Sequence, residues 1–381
     1  MGHQNTVFHT LLGNLPWGRF GAIVDRHQAD KGVRRLSTRT QLTALLYGQL
    51  ASSPSLRGLV SGFASHHRRL YHLGAETVSR STLSDANRIR PAAVFAELFA
   101  HLVGQAHPSL ARKMRDSVLL IDSTTLRLNR RSGDWSRFSH DLHGAKAHIV
   151  YDPDADCPIH AVITPERVND ITAAKTMPIQ HGATYVFDLG YTDYRWWAQL
   201  DDADCRIVTR LKVNVPLHDI GERLVRPGSG ILSDCTGTLP ARQASSRHNP
   251  MHKRVREVRV KAETGTILRL VTNDLSSPPE VIAELYKRRW AIELFFRWVK
   301  QVLKLRQFIG TSENAVRIQI AVALIAFLLL RLAHHAVGAT HGALTFARLV
   351  IANLMHRRTL RDLLGMPDDI PKSHSQQGVL I

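Results

Sequence analysis

Three carboxylates in this 381-residue chain stand where an acid needs a reason. Asp122 follows the apolar run 117–121 and Asp188 follows the short run 184–187. At the end of a buried strand such a side chain points out of the sheet edge, where α/β sheets place ligands. The third, Glu293, lies in the stretch 284–304, ELYKRRWAIELFFRWVKQVLK, among arginines, lysines and aromatics. Carboxylate oxygens are the hard ligands that Mg²⁺ and Mn²⁺ need, and two such ions can activate water and stabilise the leaving oxygen of a phosphodiester. Each acid also has a plainer reading. An aspartate after a strand is often a helix cap or turn former. Glu293 fits equally a solvated ladder of i,i+4 ion pairs with Arg289 and Arg297, at a few tenths of a kcal/mol per pair.

Around Glu293 the spacing predicts one long helix. At 100° per residue Tyr286, Arg289, Glu293 and Lys300 fall within about 60° of one another, and Arg297 and Lys304 extend the stripe. Ala291, Leu294, Phe295, Trp298, Val299 and Val302 take the opposite, core-facing side. In the functional reading Glu293 holds a cation while its basic neighbours grip phosphates.

The charge points the same way. Fifty Lys+Arg against 32 Asp+Glu leave +18, an excess that favours an anionic polymer such as DNA as partner. A membrane is not expected: the nearest candidate span, residues 318–330, lies between Arg317 and Arg331 and reads as a buried core helix. No basic-then-apolar leader opens the chain. Cys157, Cys205 and Cys235 are far apart, which suits a reducing cytoplasm and makes no zinc site. His248 and His252 have ligand spacing without a cysteine pair and read as a basic loop.

The elements that must position the acids form an α/β chain with helical ends. Residues 1–115, with 15 Lys+Arg against 5 Asp+Glu, read as a helical DNA-binding domain. Within it TVSRSTLSDANRIRP predicts a short helix with Thr82 and Asp85 as a shortened capping box and Pro91 as its stop. Arg80, Asn87 and Arg88 are side chains a DNA-reading helix uses, although a solvated bundle helix carries the same residues. Residues 116–212 alternate three strands, helix, strand, helix, strand, the first part of a layered α/β core. Residues 213–275, rich in turn formers with strands at 254–261 and 266–272, read as a β insertion. Residues 276–312 hold the long helix, 313–366 two C-terminal helices, and 367–381 a loose polar tail.

The spacing Tyr286-x2-Arg289-x3-Glu293-x6-Lys300 is similar to the Y-x2-R-x3-E-x6-K pattern of the insertion-sequence-four (IS four) family of bacterial DDE transposases. LYKRRWAIELFFRWVKQ, IDSTT around Asp122 and FDLGY around Asp188 resemble that family too, over roughly residues 115–335. VSRSTLSDANR resembles the upstream domain of one branch. The resemblance implies a ribonuclease-H-like core in which Asp122, Asp188 and Glu293 bind two divalent ions, Mg²⁺ with Mn²⁺ as substitute. It implies that Arg289 and Lys300 contact phosphates at the element's end and that Tyr286 helps place that end. The implied reaction is cut-and-paste transposition. The strand at the terminal inverted repeat is hydrolysed, and the freed 3′-hydroxyl attacks target DNA within a synaptic homodimer, in the bacterial cytoplasm at the nucleoid. Some members pass through a hairpin with a flipped base stacked on an aromatic. Here no Phe, Tyr or Trp occurs between Trp197 and Tyr286, which leaves the hairpin step open. Two alternatives stand beside this reading: a catalytically silent DNA-binding regulator derived from such an enzyme, and a metal-dependent nuclease sharing its fold.

Overall fold

The computed structural model describes residues 5–106, 117–139, 142–244, 247–262, 264–303 and 308–366. The polar tail expected at 367–381 and Lys304 lie outside the described residues. The described residues hold eleven strands: β1 (Val118–Leu128), β2 (His143–Asp152), β3 (Cys157–Pro165), β4 (Thr184–Val186), β5 (Arg206–Arg210), β6 (His218–Glu222), β7 (Ile231–Thr238), β8 (Arg242–Ala244), β9 (Arg247–His248), β10 (Val255–Lys261) and β11 (Ile267–Thr272). Nine of them form one mixed sheet in the order β3-β2-β1-β4-β5-β11-β10-β7-β6, and β8 with β9 makes a separate short hairpin.

Alternation along the strands divides the interior into two cores. Leu120, Val186, Val208, Val258 and Leu270 face one core, and Leu119, Ile121, Tyr185, Ile207 and Val271 face the other. On the first side lie the helices Pro279–Arg288 and Trp290–Gln301 and the N- and C-terminal helices. On the second lies the helix Tyr194–Asp202, which buries Trp196, Trp197 and Leu200.

Residues 213–275 do not form a module apart from the sheet. β11 pairs antiparallel with β5, with Leu270 opposite Arg210 and Thr272 opposite Val208, and β10, β7 and β6 extend from it. The strand edge of β5 is thereby covered, and Leu270 and Val271 give apolar surface to both cores.

The N-terminal region is helical, with Val7–Leu12, Trp17–Arg26, Thr38–Leu50, Leu56–Ser65, His67–Leu70, Arg80–Ile89 and Ala92–Ala106. Val7–Leu12, Thr38–Leu50, Arg80–Ile89 and Ala92–Ala106 pack against the long helix Glu313–Ala336, and the apolar residues of the region merge with that helix and with the sheet in one core. Gln49 donates a buried hydrogen bond to the Leu303 carbonyl, tying the helix Thr38–Leu50 to the chain just beyond Glu293. The helix Glu313–Ala336 carries the apolar run 318–330 at its centre. It is long and apolar enough to cross a membrane, yet 83% of its most apolar window is buried inside the protein, as a core helix is.

Candidate active site

Parallel pairing brings Asp122 and Asp188 together. β1 and β4 are in register from Val118 opposite Thr184 to Leu120 opposite Val186, so Asp122 and Asp188 each lie two residues beyond the last pair. Asp188 leaves the sheet there. It caps the short 3-10 turn Leu189–Tyr191, accepting a hydrogen bond from the Gly190 N–H at 2.8 Å. Asp122, in contrast, does not end its strand. β1 runs on to Leu128 because β2 pairs with it throughout, from Leu120 opposite Tyr151 to Leu128 opposite His143. The run of apolar letters stops at Ile121 only because the later half of β1 is half-buried.

Strand alternation then decides what each neighbour meets. Asp122 shares the face of Leu120, on which the helix Trp290–Gln301 packs. Arg289 Nη1 donates to Asp122 Oδ2 at 3.1 Å and to Glu293 Oε1 at 3.2 Å, with Nη2 also 3.2 Å from Glu293. The guanidinium therefore bridges two of the three acids. Its charge centre stands 5.9 Å from the centroid of the half-buried Tyr286 ring, within cation–π range.

This contact depends on a break that periodicity does not reveal. The expected single helix is two, Pro279–Arg288 and Trp290–Gln301, joined at Arg289. There the backbone bonds tighten to i,i−3, Arg289 to Tyr286 at 3.1 Å and Ile292 to Arg289 at 3.3 Å. The buried face beyond the break is Ile292, Phe295, Phe296 and Val299, whereas Leu294, expected in the core, is 48% exposed. Glu293 pairs with Arg289 alone among the described residues, so the ladder does not extend to the exposed Arg297. Lys300 is half-buried in the helix's last turn.

Burial pushes the Asp122 carboxyl up to about 6; the charges of Asp188 and Glu293 add to this, and the Ser123 N–H and Arg289 oppose it. Both other acids are thus near enough to Asp122 to act on its charge. The folded chain holds that proton more tightly than an unfolded one, whose carboxyl titrates near 3.8. Ionising Asp122 therefore costs stability as pH rises from about 4 to about 6, with the full cost above pH 6. With divalent ions chelated, Asp122→Asn should stabilise the fold by about 1–3 kcal/mol at pH 8 and leave it unchanged near pH 4. Chemical denaturation at both values checks this, and an unstabilised variant at pH 8 would refute it.

The donor chemistry suits a hard divalent cation: three carboxylates, of which Asp122 is raised mainly by burial. Among the described residues no three His, Cys, Asp or Glu side chains are already gathered closely enough to enclose an ion. Arg289 occupies the space between Asp122 and Glu293 instead.

Sequence reasoning missed what stands on the opposite face. Ser123, next to Asp122, donates to Asp170 Oδ1 at 2.9 Å, and Lys146 Nζ reaches the same oxygen at 3.0 Å. His148 is fully buried beside them, 2.8 Å from Thr164 Oγ1, and burial pushes it down to about 4. Tyr191 is buried in the field of Asp122, Asp170 and Asp188, with its hydroxyl held well above its ordinary range, mainly by burial. The one available signal was an acid opening a short helix, Asp170–Ala174, which reads equally as a dipole partner.

The N-terminal candidates divide. Ser79, not Thr82, caps the helix Arg80–Ile89, accepting from the Thr82 N–H at 3.2 Å. Arg80 is exposed, and exposed Arg88 pairs with Asp85 at 3.4 Å. Asn87 is buried, its Oδ1 taken by Gln41 Nε2 at 2.8 Å and its carbonyl by Asn314. It braces the helix against the core and cannot read a base.

A family model described as "Transposase DDE domain" matches residues 113–329, more than half of the chain. The chain belongs to the DDE transposase family. A second model, a domain of unknown function (DUF4372), matches residues 3–76. The chain is 41% identical over 296 residues to "Putative transposase y4zB" of Sinorhizobium fredii, covering 77% of this chain and 82% of that protein. It is 29% identical over 338 residues to "Probable transposase for insertion sequence element IS5377" of Geobacillus stearothermophilus, covering 85% of each. Among solved structures it is similar to a piggyBac transposase synaptic complex with hairpin DNA. That match has a TM-score of 0.43 and 12% identity over 96% of this chain and 85% of the other. This DDE transposase is a DNA-acting enzyme, and domains of its kind generally use divalent metal ions.

Proposed function

We propose that this transposase belongs to the IS four branch and performs cut-and-paste transposition with Asp122, Asp188 and Glu293 as its metal-binding acids. The observation that carries the reading is the Arg289 bridge from Asp122 to Glu293, which joins the Y-x2-R-x3-E-x6-K helix to the strand bearing the first acid. Mg²⁺, with Mn²⁺ as substitute, would be held by the three acids and would supply water activation and charge stabilisation at the phosphodiester. Arg289 neutralises those acids when no ion is present. Its planar fork of donors also suits a DNA phosphate. Lys300 and Arg297 continue the basic strip, and Tyr286 helps orient the strand end. The Asp170–Ser123–Lys146 bonds hold β1 from behind and so position Asp122.

A ribonuclease-H-like core is supported by the half-sheet β3-β2-β1-β4-β5, with Asp122 on β1 and Asp188 just beyond the end of the neighbouring β4. The substrate is DNA carrying the element's terminal inverted repeats, cut so that its 3′-hydroxyl joins target DNA in a synaptic homodimer, in the bacterial cytoplasm at the nucleoid. The test is divalent-metal-dependent cleavage and joining of a labelled duplex cut from the DNA that flanks the coding sequence. Joined products support the reading; nicks without joining would reduce it to a nuclease, and binding without cleavage to a regulator.

The domain division follows the same reading: helical DNA-binding residues 1–115, core 116–212, insertion 213–275, catalytic helix 276–312, C-terminal helices 313–366 and tail 367–381. Arg80→Ala with Arg88→Ala in the full chain should weaken binding roughly tenfold and lower the salt dependence by about two phosphate contacts. Fluorescence anisotropy across salt concentrations reads both, and unchanged curves would remove this helix from the interface.

A further inference from the structure

A cavity of about 260 Å³ opens beyond Asp188, lined by Lys175, Asp193, Arg195, Gln243, Arg247 and His248. Its construction is specific. Gln243, on the β8–β9 hairpin, accepts the Tyr194 N–H at 3.0 Å and donates to the Thr192 carbonyl at 2.9 Å. The hairpin is thereby clamped to the segment that leaves Asp188. Three fixed cations face one carboxylate, and that carboxylate is already engaged. Asp193 Oδ2 takes Lys175 Nζ at 2.6 Å, and Oδ1 caps the helix Tyr194–Asp202 through the Trp196 N–H at 2.9 Å. Arg195 and Arg247 are exposed and make no ion pair among the described residues, so two positive charges remain in excess over the space.

The cavity also has a fixed relation to the acids. Lys175 ends the five-residue helix that Asp170 begins, and Asp170 is bonded to Ser123 beside Asp122. Such a helix spans roughly 7–8 Å, about two phosphate spacings along one strand. An anionic oxygen cluster is the ligand that two fork-shaped donors match.

We propose that this cavity is a second anchor for the DNA backbone, in which Arg195 and Arg247 hold a phosphodiester group of the strand lying at the catalytic acids. The placement of that strand rests on the active-site reading above; the anchoring itself does not.

The test uses the full chain as wild type, Arg195→Ala, Arg247→Ala, the double variant and the Arg→Lys pair. Binding is measured by anisotropy over a salt series, with a flanking-DNA duplex and with a random duplex of equal length. Each alanine should weaken binding roughly tenfold and reduce the log–log salt slope by about 1. The lysine pair should keep the slope, which separates lost charge from lost folding. Loss on both duplexes means that any backbone fits; loss on the flanking duplex alone assigns the anchor to the element's end. Unchanged slopes in the alanine variants, or a slope lost equally in the lysine pair, overturn the proposal. Anchoring intact but no cleavage by the wild type would instead overturn the active-site reading alone, and a wild type that binds neither duplex would overturn both.

Discussion

Glu293→Gln should abolish strand cleavage, by roughly 10³-fold or more, while leaving DNA binding near that of the wild type. The amide keeps the shape of the side chain and removes the charge that a divalent ion needs, and a factor of 10³ corresponds to about 4 kcal/mol in the barrier. Glu293 is 39% exposed and bonded only to Arg289 among the described residues, so the substitution breaks no buried packing. Its partner keeps Asp122 at 3.1 Å. Asp122→Asn should lose cleavage to the same extent for the same reason, despite its expected gain in stability. A protein more stable yet inactive is the signature of a site where a buried charge is retained for a ligand. Cleavage of a labelled duplex in Mg²⁺ and in Mn²⁺, beside anisotropy for binding, reads both properties. Residual activity within tenfold of the wild type in Glu293→Gln would remove Glu293 from the metal-binding set.

The largest loss of stability should come from Arg256→Met, at about 3–5 kcal/mol. Arg256 is fully buried and binds Asp234 through two parallel bonds, Nε to Oδ1 at 2.8 Å and Nη2 to Oδ2 at 2.7 Å. Its third nitrogen, Nη1, donates to the carbonyls of Asp274 and Ser277, just before the helix Pro279–Arg288. The side chain thus ties β10 to β7 and both to the start of the helix that carries Tyr286. Removing it leaves Asp234 only 3% exposed, with no other side-chain partner among the described residues but the peripheral Arg223 at 3.5 Å. A charge so placed has lost its hydration without compensation. Arg256→Met combined with Asp234→Leu should recover most of the loss, because neither charge is then stranded. Urea unfolding of the wild type, the single and the double variant decides the point. A single variant within 1 kcal/mol of the wild type would show that the pair is dispensable.

Composition, periodicity and spacing made several things legible: a basic chain, helical ends around a mixed α/β middle, and three acids set apart from the rest. They reveal short-range order, since strand alternation, helix period and turn formers act within a few residues. β6 to β9 escaped because β6 is largely exposed and its neighbours lack the apolar runs that mark a strand. The letters alone marked three acids set apart and the helical period that groups Tyr286, Arg289, Glu293 and Lys300. Long-range packing added the break at Arg289, the closure of Arg289 onto Asp122 and the place of Asp170 behind Ser123. It also buried Asn87, and it joined the residues read as an insertion to the edge of β5. Each of these is a contact between segments far apart in the chain. What decides such contacts is which surfaces bury one another and where charges find partners, and no local pattern of letters carries that information.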